Sequence, residues 1–310
     1  MPKRSTPVEW LVFLALGIAW GSSYLFIKIG VETLTPFTLV AGRLAIGAGV
    51  LAVAMAITRQ ALPRNRSVYV HLLVVALLGI VIPFFLITWG EQSIDSGLAS
   101  ILNGTVPLFA IVMAAMVLPD EPITVNRLVG LLIGFVGVVV LTSPALRSSS
   151  GSSLQGEIAL IGASISYGAT GVYARRNVRD VAPLPSAFLE VGFAFLITLV
   201  AAFVLEDPFA TNVQASTVLS ILWLGLIGSG LAFMAFFFLL GRWGVTRTAV
   251  VAYLIPVVGV ILGVLVRGEV VTLPVLIGMV LIIGGVAFAN SRFGHRRLIG
   301  RRDTQVATDA

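Results

Sequence analysis

Two ionisable side chains sit where a lipid bilayer makes them expensive: Arg43, inside the apolar run 36–58, and Glu190, inside the apolar run 183–205. Arg43 lies about seven residues into its run, roughly 10 Å deep at a helical rise of 1.5 Å per residue. An arginine at the centre of a membrane helix costs at least about 2.5–3.5 kcal/mol on insertion, so it must face a wet cavity or a partner. There its paired N–H donors can take a substrate carboxylate; the structural alternative is a tie to helix-end carbonyls. Glu190 lies about 10 Å in from the opposite surface. A carboxyl there can gain and lose a proton as a cavity opens to each side, or meet a substrate ammonium. Its structural alternative is a neutral or snorkelling side chain near Arg175 and Arg176. Opposite depths disfavour a direct pair between Arg43 and Glu190.

A second group is polar and aromatic: Trp20, Tyr24, Asn103, Tyr167 and Tyr253, with Trp89 nearer an interface. Trp20, Asn103, Tyr167 and Tyr253 fall near mid-span, where an interfacial aromatic belt would not place them. Their N–H, O–H and amide groups need partners away from water. A cavity lining supplies those, with apolar walls and a few polar groups suited to a zwitterion; hydrogen bonds between helices are the structural alternative. Pro83, Pro107 and Pro256 interrupt helices at or beyond mid-span. Each removes one N–H and frees a carbonyl, so each is a candidate kink or gate. Gly17–Gly21 and Gly130–Gly134 are read as close helix packing, and Glu121 and Glu269 as caps of the turns that follow the fourth and ninth spans.

Enzyme chemistry finds little to work with. The only histidines are His71 and His295, there is no cysteine, and neither an HExxH metal motif nor a Walker-type loop occurs. Hence no cofactor, no metal and no nucleotide-driven step is expected, and transport is either secondary active, driven by another gradient, or facilitative, driven by the substrate's own.

These residues must be positioned by membrane helices. Of 310 residues, 58% are hydrophobic and 11% charged, against about 25% charged in an average soluble domain. Ten apolar runs are long enough to span a bilayer: 10–30, 36–58, 68–89, 96–118, 126–143, 155–175, 183–205, 216–240, 247–267 and 272–291. They are helical because lipid leaves no other way to satisfy the backbone. Lys3 and Arg4 before the first run could suggest a signal peptide, but the run continues past Ala19 through WGSSYLFIKIG with no convincing small-x-small cleavage site, and it is expected to be retained. An even count puts both termini on one side. That side carries Lys3, Arg4, Arg59, Arg64, Arg66, Arg127, Arg175, Arg176, Arg179, Arg242, Arg247, Arg292, Arg296, Arg297, Arg301 and Arg302. Only Lys28, Arg147 and Arg267 fall opposite, so the positive-inside rule predicts cytoplasmic termini in the inner membrane. The basic tail is read as a topology anchor that can touch anionic lipid. No nucleic-acid partner is expected.

The two halves of the chain resemble each other at a shift of 147–149 residues. Trp20–Gly21 and Lys28 correspond to Tyr167–Gly168 and Arg175, Pro36 to Pro185, Gly79 to Gly228, Pro107 to Pro256, Glu121 to Glu269, and Gly130 and Gly137 to Gly278 and Gly285. Five spans per copy is an odd number, so the second copy enters the membrane inverted. Inverted repeats are the signature of transporters, because two alternative packings around a midplane site then have similar energies. The predicted units are 1–145 and 155–293, each one repeat, with a cytoplasmic tail at 294–310.

The stretch SGLASILNGTVPLFAIVMAAMVLPDEPITVNRLVGLLIGFVGVVVL and its second copy, TRTAVVAYLIPVVGVILGVLVRGEVVTLPVLIGMVLIIGGVAF, carry a small-residue helix with a central proline, an acidic residue at its end and a glycine-spaced helix. With WGSSYLFIK and the Pro36…Arg43 spacing, the chain resembles the drug/metabolite transporter superfamily, EamA branch, over about residues 10–293. One departure is Asp120–Glu121–Pro122, where the family more often has Gly-Glu and then a basic or small residue. The resemblance implies ten helices, a central cavity lined by spans one to four and six to nine, peripheral fifth and tenth spans, and export of small metabolites, commonly amino acids. The expected partners are therefore a small-molecule substrate, membrane lipid and protons. Within the class, a drug or sugar-phosphate exporter is the alternative; outside it, a gated channel or facilitative pore.

Overall fold

The computed structural model describes residues 6–118, 123–147, 152–178, 181–209, 213–290 and 297–299. Glu121 and most of the basic tail lie outside the described residues, as do Lys3, Arg4 and Arg179. The described chain forms ten helices: α1 Pro7–Gly30, α2 Pro36–Thr58, α3 Arg66–Gly90, α4 Ser96–Val117, α5 Val125–Arg147, α6 Ser152–Asn177, α7 Pro183–Leu205, α8 Ala215–Gly244, α9 Ala249–Arg267 and α10 Leu273–Ala289. Eight are long and apolar enough to cross a membrane; α6 is more polar and α10 is shorter, but each lies where the sequence predicts a span. A two-residue strand, β1 (Ile123–Thr124), pairs antiparallel with β2 (Arg297–Ile299), joining the α4–α5 connection to the tail.

The halves pack as inverted copies. α5 and α10 run antiparallel through reciprocal glycines: a Cβ on Gly130 would fall 2.5 Å from the Gly285 carbonyl oxygen, and one on Gly137 3.0 Å from that of Gly278. Gly130 and Gly137 are the repeat equivalents of Gly278 and Gly285. Each glycine therefore meets the counterpart of its neighbour, as a two-fold axis lying in the membrane plane requires. Elsewhere α1 packs on α8 and α9, and α6 packs on α3 and α4. Gly17 and Gly21 let α9 approach α1, where Leu254 and Val258 leave no room for a Cβ.

Four of the helices are interrupted. α3 contains a π-helical turn at Leu77–Val81, and α8 a longer one at Trp223–Leu231, which holds Gly228, the counterpart of Gly79. In α3 the wider turn leaves one carbonyl without a backbone donor. The π register would send the Pro83 nitrogen to the Leu78 carbonyl, but proline has no N–H to give. The Ser166 hydroxyl donates to that carbonyl instead, at 2.6 Å. α4 breaks into turn at Gly104–Thr105, just before Pro107, and α9 opens with a 3₁₀ segment, Ala249–Tyr253, just before Pro256. The two breaks meet, since a Cβ on Gly104 would lie 3.0 Å from Pro256 Cγ.

At the end away from residues 6 and 290, hereafter the far end, polar side chains link the elements. Glu206, just past α7, accepts from the Phe37 and Thr38 backbone N–H groups, both at 2.9 Å, and from the Thr35 hydroxyl at 2.5 Å, capping α2. Glu269 does the same for α4, accepting from Ser96 N–H at 2.9 Å, Ser96 O–H at 2.6 Å and Gly97 N–H at 2.8 Å. This corrects the expectation that Glu269 caps the turn after its own helix. Gly268 adopts φ 65°, which turns the chain back and delivers the carboxylate to the free N–H groups of α4. Thr33 and Thr217 share a hydrogen bond of 2.6 Å, and Arg267 pairs with Glu32 at 2.6 Å. Lys28 donates to the Glu91 and Ile94 carbonyls at 2.7 and 2.8 Å, closing the end of α3.

Candidate functional site

The helix interruptions surround a central cavity of about 430 Å³. Its walls are mostly apolar: Ile80, Phe84, Ile87, Phe233, Phe236 and Ile255 are among them. α5 and α10 contribute none of its lining, whereas α1 to α4 and α6 to α9 all do. Trp20, Tyr24, Arg43, Asn103, Tyr167 and Glu190 all border this one space.

Arg43 reaches it from α2 and is only 4% exposed. Its Nε donates to Ser229 Oγ at 3.3 Å, and its guanidinium carbon stands 4.2 Å over the Phe84 ring centroid. It forms no ion pair with Glu190. A Cβ on Gly228 would sit 3.5 Å from an Arg43 terminal nitrogen and 2.9 Å from Ser23 Oγ, so the bare backbone of the π turn leaves the room that the guanidinium occupies. The same contact recurs in the other half, where Gly79 leaves room for Thr170, the counterpart of Ser23. The result is a cation held by one hydroxyl and one ring face, with donors left for an anion.

Asn103 ends the first segment of α4, and its Oδ1 is buried without a hydrogen-bond partner. A buried unpaired amide oxygen is costly, and a donor from a bound ligand would relieve it. Glu190 enters from α7, partly exposed to the cavity. Trp20 packs on Phe236 with ring centroids 5.5 Å apart. Tyr24 is almost fully buried on α1, and Tyr167 faces the same space from α6.

Tyr253 is not part of this constellation. Its hydroxyl accepts from Asn290 Nδ2 at 3.2 Å, and its ring packs by Leu108, Leu131 and Val286. Ala252 and Ile255 hold the cavity face of α9, and Tyr253 projects to one side of them. Pro83, Pro107 and Pro256 each fall in the first turn after a π turn, a break or a 3₁₀ segment, at the edges of the cavity rather than in its wall. Ser229 and Phe84, which hold Arg43, escape sequence reasoning. A serine beside a repeat-matched glycine (Gly228) and a phenylalanine directly after Pro83 are the signals that point to them.

The sequence profile of the EamA-like transporter family matches this chain twice, over residues 8–143 and 154–291. The uncharacterized transporter YoaV of Bacillus subtilis (strain 168) is 25% identical over 290 residues, covering 93% of this chain and 98% of its own. The uncharacterized inner membrane transporter YedA of Escherichia coli (strain K12) is 31% identical over 259 residues, covering 82% of this chain and 81% of its own. A solved crystal structure at 22% identity superposes with a TM-score of 0.65 over 92% of this chain and 97% of that one, a likeness of fold. Ten helices in two inverted repeats, a central cavity and two family matches agree: the chain belongs to the EamA-like transporter family of the drug/metabolite transporter superfamily, a multi-pass membrane transporter of a small molecule and not an enzyme.

Proposed function

We propose that this protein exports small metabolites, amino acids foremost, across the inner membrane by alternating access around the central cavity. The observation that carries the reading is Arg43: a buried guanidinium with no ion pair among the described residues, anchored at Nε by Ser229 and open to the cavity. A substrate carboxylate completes its charge and its donors. An ammonium finds the unpaired Asn103 Oδ1 and the Glu190 carboxylate, and Trp20, Tyr24, Tyr167 and Phe236 give apolar walls for a side chain. About 430 Å³ suits a molecule of that size. A sugar-phosphate exporter would want several basic groups, whereas Arg43 is the only basic residue in the described lining.

The domain reading, with repeats at 1–145 and 155–293 and a tail at 294–310, rests on the internal shift and the reciprocal glycine contacts. The weight of basic residues on one side supports cytoplasmic termini. Pro83, Pro107 and Pro256 are read as hinges, because each adjoins a backbone irregularity at the cavity edge.

The test is a competition screen of metabolites in proteoliposomes, with and without a pH gradient, on the native protein and on Arg43→Gln. Amino acids should compete for native transport, and the variant should lose affinity for carboxylate-bearing substrates selectively. Unchanged affinity in the variant would remove Arg43 from the site.

A further inference from the structure

Directly after α3, Glu91 is fully buried, and neither of its carboxyl oxygens has a hydrogen-bond partner. It follows the cavity-lining Ile87 by one helical turn, on the same side of the chain. It therefore stands between the cavity and the polar links that close the far end.

Charged and titratable groups approach it from several elements, and neither nearby cation forms an ion pair with it. From α1, Tyr24 borders the cavity, while Lys28 donates to the Glu91 and Ile94 backbone carbonyls. From α2, Arg43 is held by Ser229 and Phe84. From the turn after α9, Glu269 is bound to the start of α4. Asp95 lies in the same connection as Glu91. α6, packed on Gly90 through Gly156 and Leu160, brings Glu157, whose Oε2 is likewise buried and unpartnered. An ionised carboxylate kept dry without a donor is strongly disfavoured. Burial accordingly pushes the Glu91 carboxyl well above the usual carboxylate range; Lys28 and Arg43 oppose the rise and Glu269 adds to it.

We propose that Glu91 is a proton-binding site of the transport cycle, occupied while the far end is closed and vacated when that end opens to water. The proton comes from bulk water, forms an O–H bond on the carboxyl, and returns to water on opening. Because the closed state binds the proton more tightly, closure is favoured fully below the open-state pKa and weakens as pH rises toward the closed-state pKa. The proposal rests on the alternating-access reading, but its test needs no substrate, so failure of amino-acid flux and failure of this site are separate results.

The chain has no cysteine, so a single Thr217→Cys at the far-end Thr33–Thr217 link reports opening by its rate of modification with a membrane-impermeant maleimide. Ser216→Cys, exposed beside it, corrects for thiol ionisation. Between about pH 5 and about pH 9 the corrected rate should rise with pH, by at most about tenfold per unit. In a Glu91→Gln background it should stay low and flat. Glu91→Asp supplies a second arm should the amide variant fail to fold, and its profile should have a shifted midpoint. A flat native profile, a native-like rise in Glu91→Gln, or an unshifted midpoint in Glu91→Asp overturns the proposal. So does a rise that follows sodium concentration at fixed pH, which would make the site a sodium site.

Discussion

Arg43 shows how a membrane protein keeps a charge indoors. The cation–π contact with Phe84, the Ser229 hydroxyl and the space left by Gly228 hold the guanidinium without neutralising it. Removing it should therefore affect binding more than folding. A hydrogen bond to a charged group contributes about 1.5–3 kcal/mol, so Arg43→Gln should raise the apparent KM for carboxylate substrates by roughly 10- to 100-fold. Arg43→Lys should fall between, because it keeps the charge and loses the planar fork. Saturation kinetics in proteoliposomes measure both. At this scale the sequence was legible where a polar group interrupts an apolar run, as at Arg43, Asn103 and Glu190, since lipid gives such groups no partner. It was illegible where the residue type is ordinary. Ser229 and Phe84 are unremarkable in a membrane helix, and Glu91, at the end of α3, reads as a rim carboxylate until its burial is known. Tyr253 went the other way, because one position along its 3₁₀ segment turns a side chain by about 120°.

Among the elements, the irregular turns matter most. The Leu78 carbonyl is left without an N–H by Pro83 and taken up by Ser166. Ser166→Ala should orphan that carbonyl in a partly buried place and lower stability by about 1 kcal/mol or somewhat more, seen as a lower unfolding temperature in detergent. Gly130→Val should be worse tolerated than Gly284→Ala. The first drives a side chain into Gly285 and Ala289, whereas a Cβ at Gly284 meets nothing within 4 Å. Comparative thermal unfolding checks this, and equal stability of the two variants would contradict the α5–α10 contact. The spans themselves were readable from apolar runs, because length and hydropathy are properties of composition. The π turns were not, because backbone register leaves no compositional trace. Only Gly79, Gly228 and Pro83 hinted at them.

For the whole molecule, the proposed alternating access needs two packings of the inverted repeat, and the far-end links hold together the one described. Glu206 and Glu269 come from the second half and cap α2 and α4 of the first, so an opening that separates the halves at that end would break both caps. Glu206→Ala and Glu269→Ala should each shift the equilibrium toward far-end opening, raising modification of a single cysteine at position 217 over a Ser216→Cys control. Unchanged modification in both would show that the caps are only structural. The repeat was legible in the sequence as ordered Gly and Pro matches at one shift. The linking carboxylates were not, since their partners are backbone N–H groups more than 160 residues away along the chain.

The most direct test of alternating access with an amino-acid cargo is counterflow. Proteoliposomes loaded with unlabelled amino acid should take up the same labelled amino acid transiently, faster than empty ones and saturably, and Arg43→Gln should abolish the overshoot at the same concentration. Labelled uptake that neither saturates nor responds to internal substrate would mean a pore, and would contradict the account.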